Sequence, residues 1–383
     1  MSAIRWHLIT GEYPPQSGGV SDYTALLARG LASAGATVEV WAPYAEGITP
    51  DANGVTVRRA VEKWSPTDLN RLNKELNGYE KSRRLLVQYT PNAWGYKGLN
   101  FGFCRWLVQR RNCGDDIRLM IHEPFYPWRL WDKPTRWLLA AGQRWMIRSL
   151  LGASSQVYLS IPGWERMLRP YDPGGRRPMK WLPIPSTIPI VVDPARVAEF
   201  RRRLAPKGQA ILGSFGTFGG AIREVLSKVL PPLLAKHPER MGLLLGQGGD
   251  RFAAKLLAAH PMLDGRLIAP GRLAPEAVSF HLQACDVLIQ PYPDGVSSRR
   301  TSVMAGLSHG LPTVTTQGFL SEPIWEQTGC VALAPASDSV QFIQAAESFL
   351  ADREASIRLG LRARAVYAEH FTLERTVEVL LKT

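Results

Sequence analysis

At 383 residues, 45% of them hydrophobic and 21% charged, the chain has an ordinary globular composition and the length of two domains, each able to bury its own core. Four cysteines (Cys104, Cys113, Cys285, Cys330) show no metal or redox spacing and are expected to stay reduced, as in the cytosol. No basic-plus-apolar signal segment opens the chain and no apolar run reaches the ~18 residues of a membrane span, so neither export nor a transmembrane segment is expected.

The net charge of +13 is uneven. Residues 81–150 alone carry 13 Lys/Arg against 4 Asp/Glu, whereas residues 191–383 carry 21 against 18. A basic first half points to an anionic surface, an anionic substrate, or both.

In chain order, short apolar runs alternate with amphipathic stretches. The first half predicts strands at Trp6–Thr10, Val38–Ala42, Leu85–Gln88, Leu119–His122 and Val157–Ser160, with helices such as Tyr23–Ser33 and Trp137–Leu150. The proline-rich segment Leu182–Pro189 cannot be helical and marks a domain boundary, giving a first domain of 1–186 and a second of 187–383. The second half predicts strands at Ile211–Phe215, Gly242–Leu245, Arg266–Ala269, Val287–Gln290 and Thr313–Thr315. The last stretch, Ser339–Lys382, is helical by period, and its final helices are able to return to the first domain. Alternating strands and helices predict an α/β protein with parallel, Rossmann-like sheets.

Two loops carry the chemistry. Gly11–Val20 lies between the first strand and a helix and contains Gly18-Gly19; Asp294–Arg300 lies between Val287–Gln290 and another helix. A strand, a glycine turn and a helix N-terminus present backbone N–H groups to negative oxygen atoms. Two such loops in two α/β domains predict one phosphate-bearing ligand shared between them. The tight-turn reading stands beside this one for Gly18-Gly19 and for Asp294-Gly295. Arg299 and Arg300 carry planar donor forks suited to phosphate oxygens. His122 ends a strand, where ligands meet such sheets, and Glu123 follows it. Gly213, Gly216 and Gly219 do not have the spacing of a dinucleotide fingerprint, and the next strand ends in no acidic residue, which excludes a dehydrogenase. No His, Cys and carboxylate cluster has ligand spacing and no Asp-x-Asp occurs, so no metal and no cofactor is expected.

Eight of the twelve tryptophans (Trp94, Trp106, Trp128, Trp131, Trp137, Trp145, Trp164, Trp181) mix with Arg105, Arg110, Arg111, Arg129, Arg136, Arg144 and Arg148. Three readings stay open: core tryptophans with solvated arginines, contact with anionic lipid headgroups, or sugar binding by Asn92, Trp94, Tyr96 and Asn100, since aromatic faces stack on sugars. Glu123 is a further candidate for that last role.

The opening Glu12-Tyr13-Pro14-Pro15 with Gly18-Gly19-Val20, the block Ala284–Pro291 leading into Asp294-Gly295-Val296-Ser297, and His309-Gly310-Leu311-Pro312-Thr313-Val314 together resemble the family-4-type retaining glycosyltransferases. The resemblance covers nearly the whole chain. It implies the GT-B fold, two facing Rossmann-like domains with parallel sheets and a cleft between them. It also implies that the Gly18-Gly19 loop faces the donor diphosphate and that His122 touches the transferred sugar. Asp294 stands where the family has its first Glu, which accepts from sugar hydroxyls, and Gly295, Val296, Ser297 and Ser298 hold sugar or phosphate. Gly271-Arg272 falls in the loop near the nucleotide base. The chain departs from the family in two places. Ser302 stands where the second Glu of the E-x7-E pair belongs, and Thr217 and Arg223 stand where the family has Arg and Lys. Arg299 or Arg300 is expected to supply the missing charge.

The resulting expectation is a metal-independent retaining hexosyltransferase. It takes a nucleotide-diphosphate sugar as donor and a sugar or lipid-linked acceptor, and it works in the cytoplasm, with an anionic inner membrane face as a further partner. Nucleic acid is not among the expected partners. Two alternatives are a nucleotide-sugar epimerase or hydrolase of the same fold, separated by an acceptor requirement, and a catalytically idle glycan-binding protein, separated by donor turnover.

Overall fold

The computed structural model describes residues 5–45, 54–79, 83–95, 97–128, 133–175 and 177–382. The chain divides into two compact units. One comprises Met1–Pro183 with Leu373–Thr383, and the other Ile184–Thr372.

The first unit runs β1 (Arg5–Thr10), α1 (Gly19–Ser33), β2 (Thr37–Pro43), β3 (Val55–Val61), α2 (Pro66–Asn77), β4 (Arg83–Tyr89), α3 (Phe101–Asn112), β5 (Asp116–Ile121), α4 (Pro134–Ala153), β6 (Gln156–Leu159), α5 (Gly163–Leu168) and β7 (Met179–Trp181). Its seven strands pair in parallel in the order β3-β2-β1-β4-β5-β6-β7. The central strands are buried on both faces, as Leu8, Ile9, Leu85, Leu86, Val87, Leu119 and Met120 show, which is the burial a parallel sheet covered by helices requires. Local chemistry sets the helix starts: Ser65 and Asp68 form a reciprocal capping box on α2, and Asn100 caps α3 through Phe103 N.

The second unit runs α6 (Pro194–Leu204), β8 (Ala210–Phe215), α7 (Gly220–Ala235), β9 (Arg240–Leu245), α8 (Gly249–Ala259), β10 (Leu267–Gly271), α9 (Pro275–Gln283), β11 (Val287–Gln290), α10 (Thr301–Ser308), β12 (Thr313–Gln317), α11 (Pro323–Thr328), β13 (Ala332–Pro335), α12 (Ser339–Ala351) and α13 (Arg353–His370). Its six strands are also all parallel, in the order β10-β9-β8-β11-β12-β13. Leu226, Val229, Leu230, Leu233 and Leu234 of α7 pack with Phe252, Val287, Ile289, Val314 and Phe342 on one face of the sheet. Ile211, Leu243, Leu245, Val278, Leu282 and Leu288 form the core on the other.

The last helix, α14 (Leu373–Lys382), belongs to the first unit. Leu373 and Val377 close on Gly30 of α1, where a side chain in place of the glycine would crowd them, and Leu380 O accepts from Arg118. No helix among the described residues is long and apolar enough to cross a membrane.

Candidate functional site

In a doubly wound sheet the ligand crevice opens at the carboxyl ends of the two neighbouring strands whose connections leave in opposite directions. In the second unit these strands are β8 and β11. The loops that follow them are Gly216–Gly219, which leads into α7, and Pro291–Arg300, which leads into α10.

Gln290 ties the two strand ends together. Its Oε1 accepts from Phe215 N at 3.0 Å and from Ser214 Oγ at 3.2 Å, and its Nε2 donates to Phe215 O and to Tyr292 Oη. Tyr292 Oη in turn meets Ser302 Oγ at 2.7 Å. Ser302, where the sequence suggested a missing carboxylate, is thus part of the framework of the crevice.

Asp294 is engaged by both arginines. Its carboxylate accepts from Arg299 at 2.8 Å and from Arg300 at 2.6 and 2.7 Å, and the Arg300 guanidinium lies 4.7 Å from the centre of the Tyr292 ring. The three residues together carry one net positive charge. The side chain of Arg223, in the first turns of α7, has no hydrogen bond or ion pair among the described residues and adds a second. Gly219 and Gly220 border open space, so the N-terminus of α7 is sterically accessible.

The loop backbone has a different task from the one its resemblance implies. Gly295 N donates to Tyr292 O, Val296 N to Thr316 O and Ser298 N to Glu322, so these amides are committed to the protein rather than presented to a sugar or phosphate. Val296, Ser297 and Ser298 are wholly buried. Gly295 has a left-handed φ of 89°, and a Cβ there would collide with Gly318 N and Ser321 Oγ; the glycine serves a close approach of two loops. Glu322 is the pin: Oε1 takes Ser298 N and Oγ, while Oε2 takes Trp325 Nε1 at 2.6 Å. Ser297 Oγ is buried with no partner among the described residues. Gly271 has a left-handed φ of 75° and its carbonyl accepts from Gly246 N, while Arg272 is exposed beside it.

In the first unit the corresponding strands are β1 and β4. Gly19 opens α1, and a Cβ there would meet nothing within 4 Å. Gly18 faces Glu12: a Cβ on it would lie 2.9 Å from both carboxylate oxygens. The Glu12 carboxylate accepts from the backbone at Ser21 and Val20, so an internal anion already sits on the first amides of α1. Burial nonetheless pushes its pKa up.

His122 follows β5 at the same edge of the sheet. Its Nε2 meets Gln88 Oε1 at 2.8 Å, Tyr23 packs edge-on with ring centroids 5.2 Å apart, and its carbonyl accepts from Ser160 Oγ and Trp164 Nε1. With Gln88 Oε1 as acceptor, Nε2 carries the proton and Nδ1 is left as an acceptor. Burial drives its pKa down to about 3, so the ring is neutral. Glu123 is half-buried beside it.

The acceptor candidates separate. Trp94 is fully buried, stacked on Phe103 at 4.1 Å and tilted against Trp64 at 4.8 Å. Asn100 caps α3 and donates to Trp64 O at 3.0 Å. Both are structural, because an aromatic ring sealed in a core has no face to offer a sugar. Asn92 is exposed and accepts from Tyr126 Oη. Tyr96 lies outside the described residues, as do Arg129 and Trp131.

A pH prediction follows from two buried histidines. His122 is held at about 3 and His7, desolvated beside Trp41, at about 4. An unfolded chain protonates both near the ordinary histidine pKa of about 6.5 while the fold does not, so stability is full above that value and falls as pH drops below it. Each contributes a slope of about 1.4 kcal/mol per pH unit between its two pKa values. Glu12 and Glu322, whose carboxyls burial pushes up, oppose this in wild type and variant alike. Denaturant unfolding from pH 4.5 to 6 is therefore expected to show one histidine's slope less in His122→Gln than in wild type; equal slopes would contradict it.

Two units of parallel sheet flanked by helices have the GT-B fold. Compared by sequence, the chain matches no family model and no curated protein. Compared by structure, it is similar to HepE of Anabaena in complex with UDP, with 14% identity and a TM-score of 0.71 over 99% of this chain and 98% of that one. It is also similar to sucrose-phosphate synthase of Thermosynechococcus elongatus (16%, TM-score 0.72, 99% and 97% covered) and to a glycosyltransferase of Rickettsia africae (12%, TM-score 0.73, 100% and 98% covered).

Proposed function

We propose that the protein is a retaining glycosyltransferase that moves a hexose from a nucleotide-diphosphate sugar to a sugar or lipid-linked acceptor. The observation that carries this reading is the β8–β11 crevice, where the Arg223 guanidinium has no partner among the described residues beside an open helix start and Asp294 gathers Arg299 and Arg300. A fold-mate, HepE, has been crystallised with UDP and with UDP-glucose, which supports a nucleotide-sugar donor here.

The chemistry is a displacement at the anomeric carbon. The acceptor oxygen bonds to that carbon on the same face from which the diphosphate oxygen departs, as the bond to that oxygen breaks, so the configuration is kept. The nucleoside diphosphate leaves with the electron pair, and the acceptor proton passes to a leaving phosphate oxygen. No protein nucleophile is required. The protein's task is to hold the leaving charge with cations and helix-start amides, without a divalent metal. Turnover is accordingly expected to be unchanged by EDTA; loss restored by added metal would contradict this.

Gly18-Gly19 and a neutral His122 stand at the carboxyl ends of the strands in the first unit. Gly19→Val tests that turn. The site has room for the new side chain, so the melting temperature is expected to stay near wild type while donor KM rises about tenfold or more, a lost charge-assisted hydrogen bond being worth about 1.5–3 kcal/mol. An unchanged KM in the folded variant would remove the Gly19 turn from the donor site. The expected setting is cytoplasmic, at an anionic membrane face.

A further inference from the structure

We infer that the outer face of α3 and α4 is a membrane-docking surface that seats the first unit on an anionic lipid bilayer. This deepens the proposed function by naming where a lipid-linked acceptor is met, yet it stands on its own observations. The two helices lie side by side, and Phe101 of α3 packs edge-on against Trp145 of α4 with ring centroids 5.0 Å apart. Around that contact the surface is apolar and open: Leu138 is 73% exposed, Trp137 and Trp145 45% each, and Phe101 41%.

These residues follow helical spacing. Trp137 or Leu138, Ala141, Trp145 and Arg148 form one exposed stripe on α4, and Phe101, Arg105 and Val108 form one on α3. The inward faces of the same helices are filled by Phe103, Trp106, Leu107, Met146, Ile147 and Leu150. The exposed aromatics are therefore not needed to build the core.

Charge complementarity decides the occupant. Neither α3 nor α4 contains an acidic residue. The side chains of Arg105 and Arg148 project from the stripes without a hydrogen bond or ion pair among the described residues, and that of Lys133 does so at the start of α4. Much of the basic excess of residues 81–150 is meanwhile internal. Arg83 and Arg110 pair with Asp115, Arg84 and Arg118 with Asp116, and Arg144 is stacked over Phe125 and Trp128. The cations left over lie beside exposed tryptophans. Indole rings at headgroup depth with cations against lipid phosphate form the pattern of a helix lying in a membrane interface. No helix among the described residues is able to cross the bilayer, so the contact is peripheral.

The test is co-sedimentation of the full chain with vesicles of phosphatidylcholine alone and of phosphatidylcholine with phosphatidylglycerol, at low and high salt. Anionic vesicles are expected to retain the protein and neutral ones not, with retention falling as salt screens the surface. The double variant R105E/R148E is expected to bind at least about 30-fold more weakly, each cation near an anionic surface being worth roughly fivefold. L138S is expected to weaken binding at any salt while leaving the melting temperature unchanged, its side chain being outside the core. Equal retention on both vesicle types, or wild-type binding by both variants, overturns the inference. So does an L138S-sensitive dimer in sedimentation velocity without vesicle binding, since the face would then belong to a second copy. Donor turnover in solution is expected to be unchanged in both variants, so loss of docking and failure of the catalytic reading are distinguishable.

Discussion

Asp294→Ala is expected to lower turnover about 10- to 150-fold in a protein that remains folded. The side chain is partly exposed and supports no core residue, so little stability rests on it. It is, however, the common partner of Arg299 and Arg300, whose terminal nitrogens lie 2.6–2.8 Å from its oxygens. Without it two long cationic side chains lose their fixed aim at the mouth of the β8–β11 crevice. A charge-assisted hydrogen bond is worth about 1.5–3 kcal/mol, which is the stated rate range. The kinetic split distinguishes Asp294's roles. If Asp294 aims the arginines, Asp294→Asn keeps an acceptor and recovers part of kcat. If it only moderates their charge, both variants tighten donor binding and leave kcat unchanged. Wild-type kcat and KM in a folded Asp294→Ala would remove the cluster from the site.

Glu322→Ala is expected to cost about 3 kcal/mol of stability, more than any other single change near the site. Removing the carboxylate takes away an acceptor from Ser298 N, Ser298 Oγ and Trp325 Nε1, all buried. Each unsatisfied buried donor costs about 1–3 kcal/mol. Relief of the carboxylate's own desolvation, which pushes its pKa up, returns part of that. Glu322→Gln keeps an acceptor for Ser298 and is expected to cost about 1 kcal/mol. Denaturant unfolding of the two variants checks the order; an alanine variant as stable as wild type would mean that the loop is held by something else.

The sheets were legible because buried parallel strands are continuous apolar runs bounded by glycine. Val287–Gln290 matches β11 residue for residue, and Ile211–Phe215 falls within β8. Three edge strands were not legible. β3 interrupts its apolar pattern with Arg58 and Arg59, whose partners Glu39 and Pro43 O lie far away in sequence. β7 is three residues long, and β13 is Ala-Leu-Ala-Pro. Short edge strands bury too little to leave a periodic signal.

The site was legible in its loops and less so in its contacts. The positions of Asp294, Arg299, Arg300 and His122 at strand ends follow from the strand–glycine–helix pattern. Their partnerships do not. That Gln88 would take His122 Nε2 depends on the pairing of β4 with β5, and that Asp294 would meet both arginines depends on how the loop before α10 folds back on itself. Gln290, Tyr292 and Glu322 passed unremarked. The Gln290-Pro291 end of an apolar strand was the available sign for the first, and the single acidic residue between β12 and α11 for the last. Trp94 and Asn100 misled because aromatic and amide residues suit both a sugar and a core, and composition alone does not separate them.

The most direct measurement is a screen of nucleotide-diphosphate sugars against sugar and lipid-linked acceptors, with product mass and anomeric configuration determined. The expected result is a hexose added to one acceptor class, with the anomeric configuration of the donor kept and one nucleoside diphosphate released per transfer. Arg223→Ala and Arg300→Ala should each weaken binding of that diphosphate. If no nucleotide sugar is bound or consumed with any acceptor present, or if donor is turned over without any acceptor requirement, the glycosyltransferase reading is contradicted.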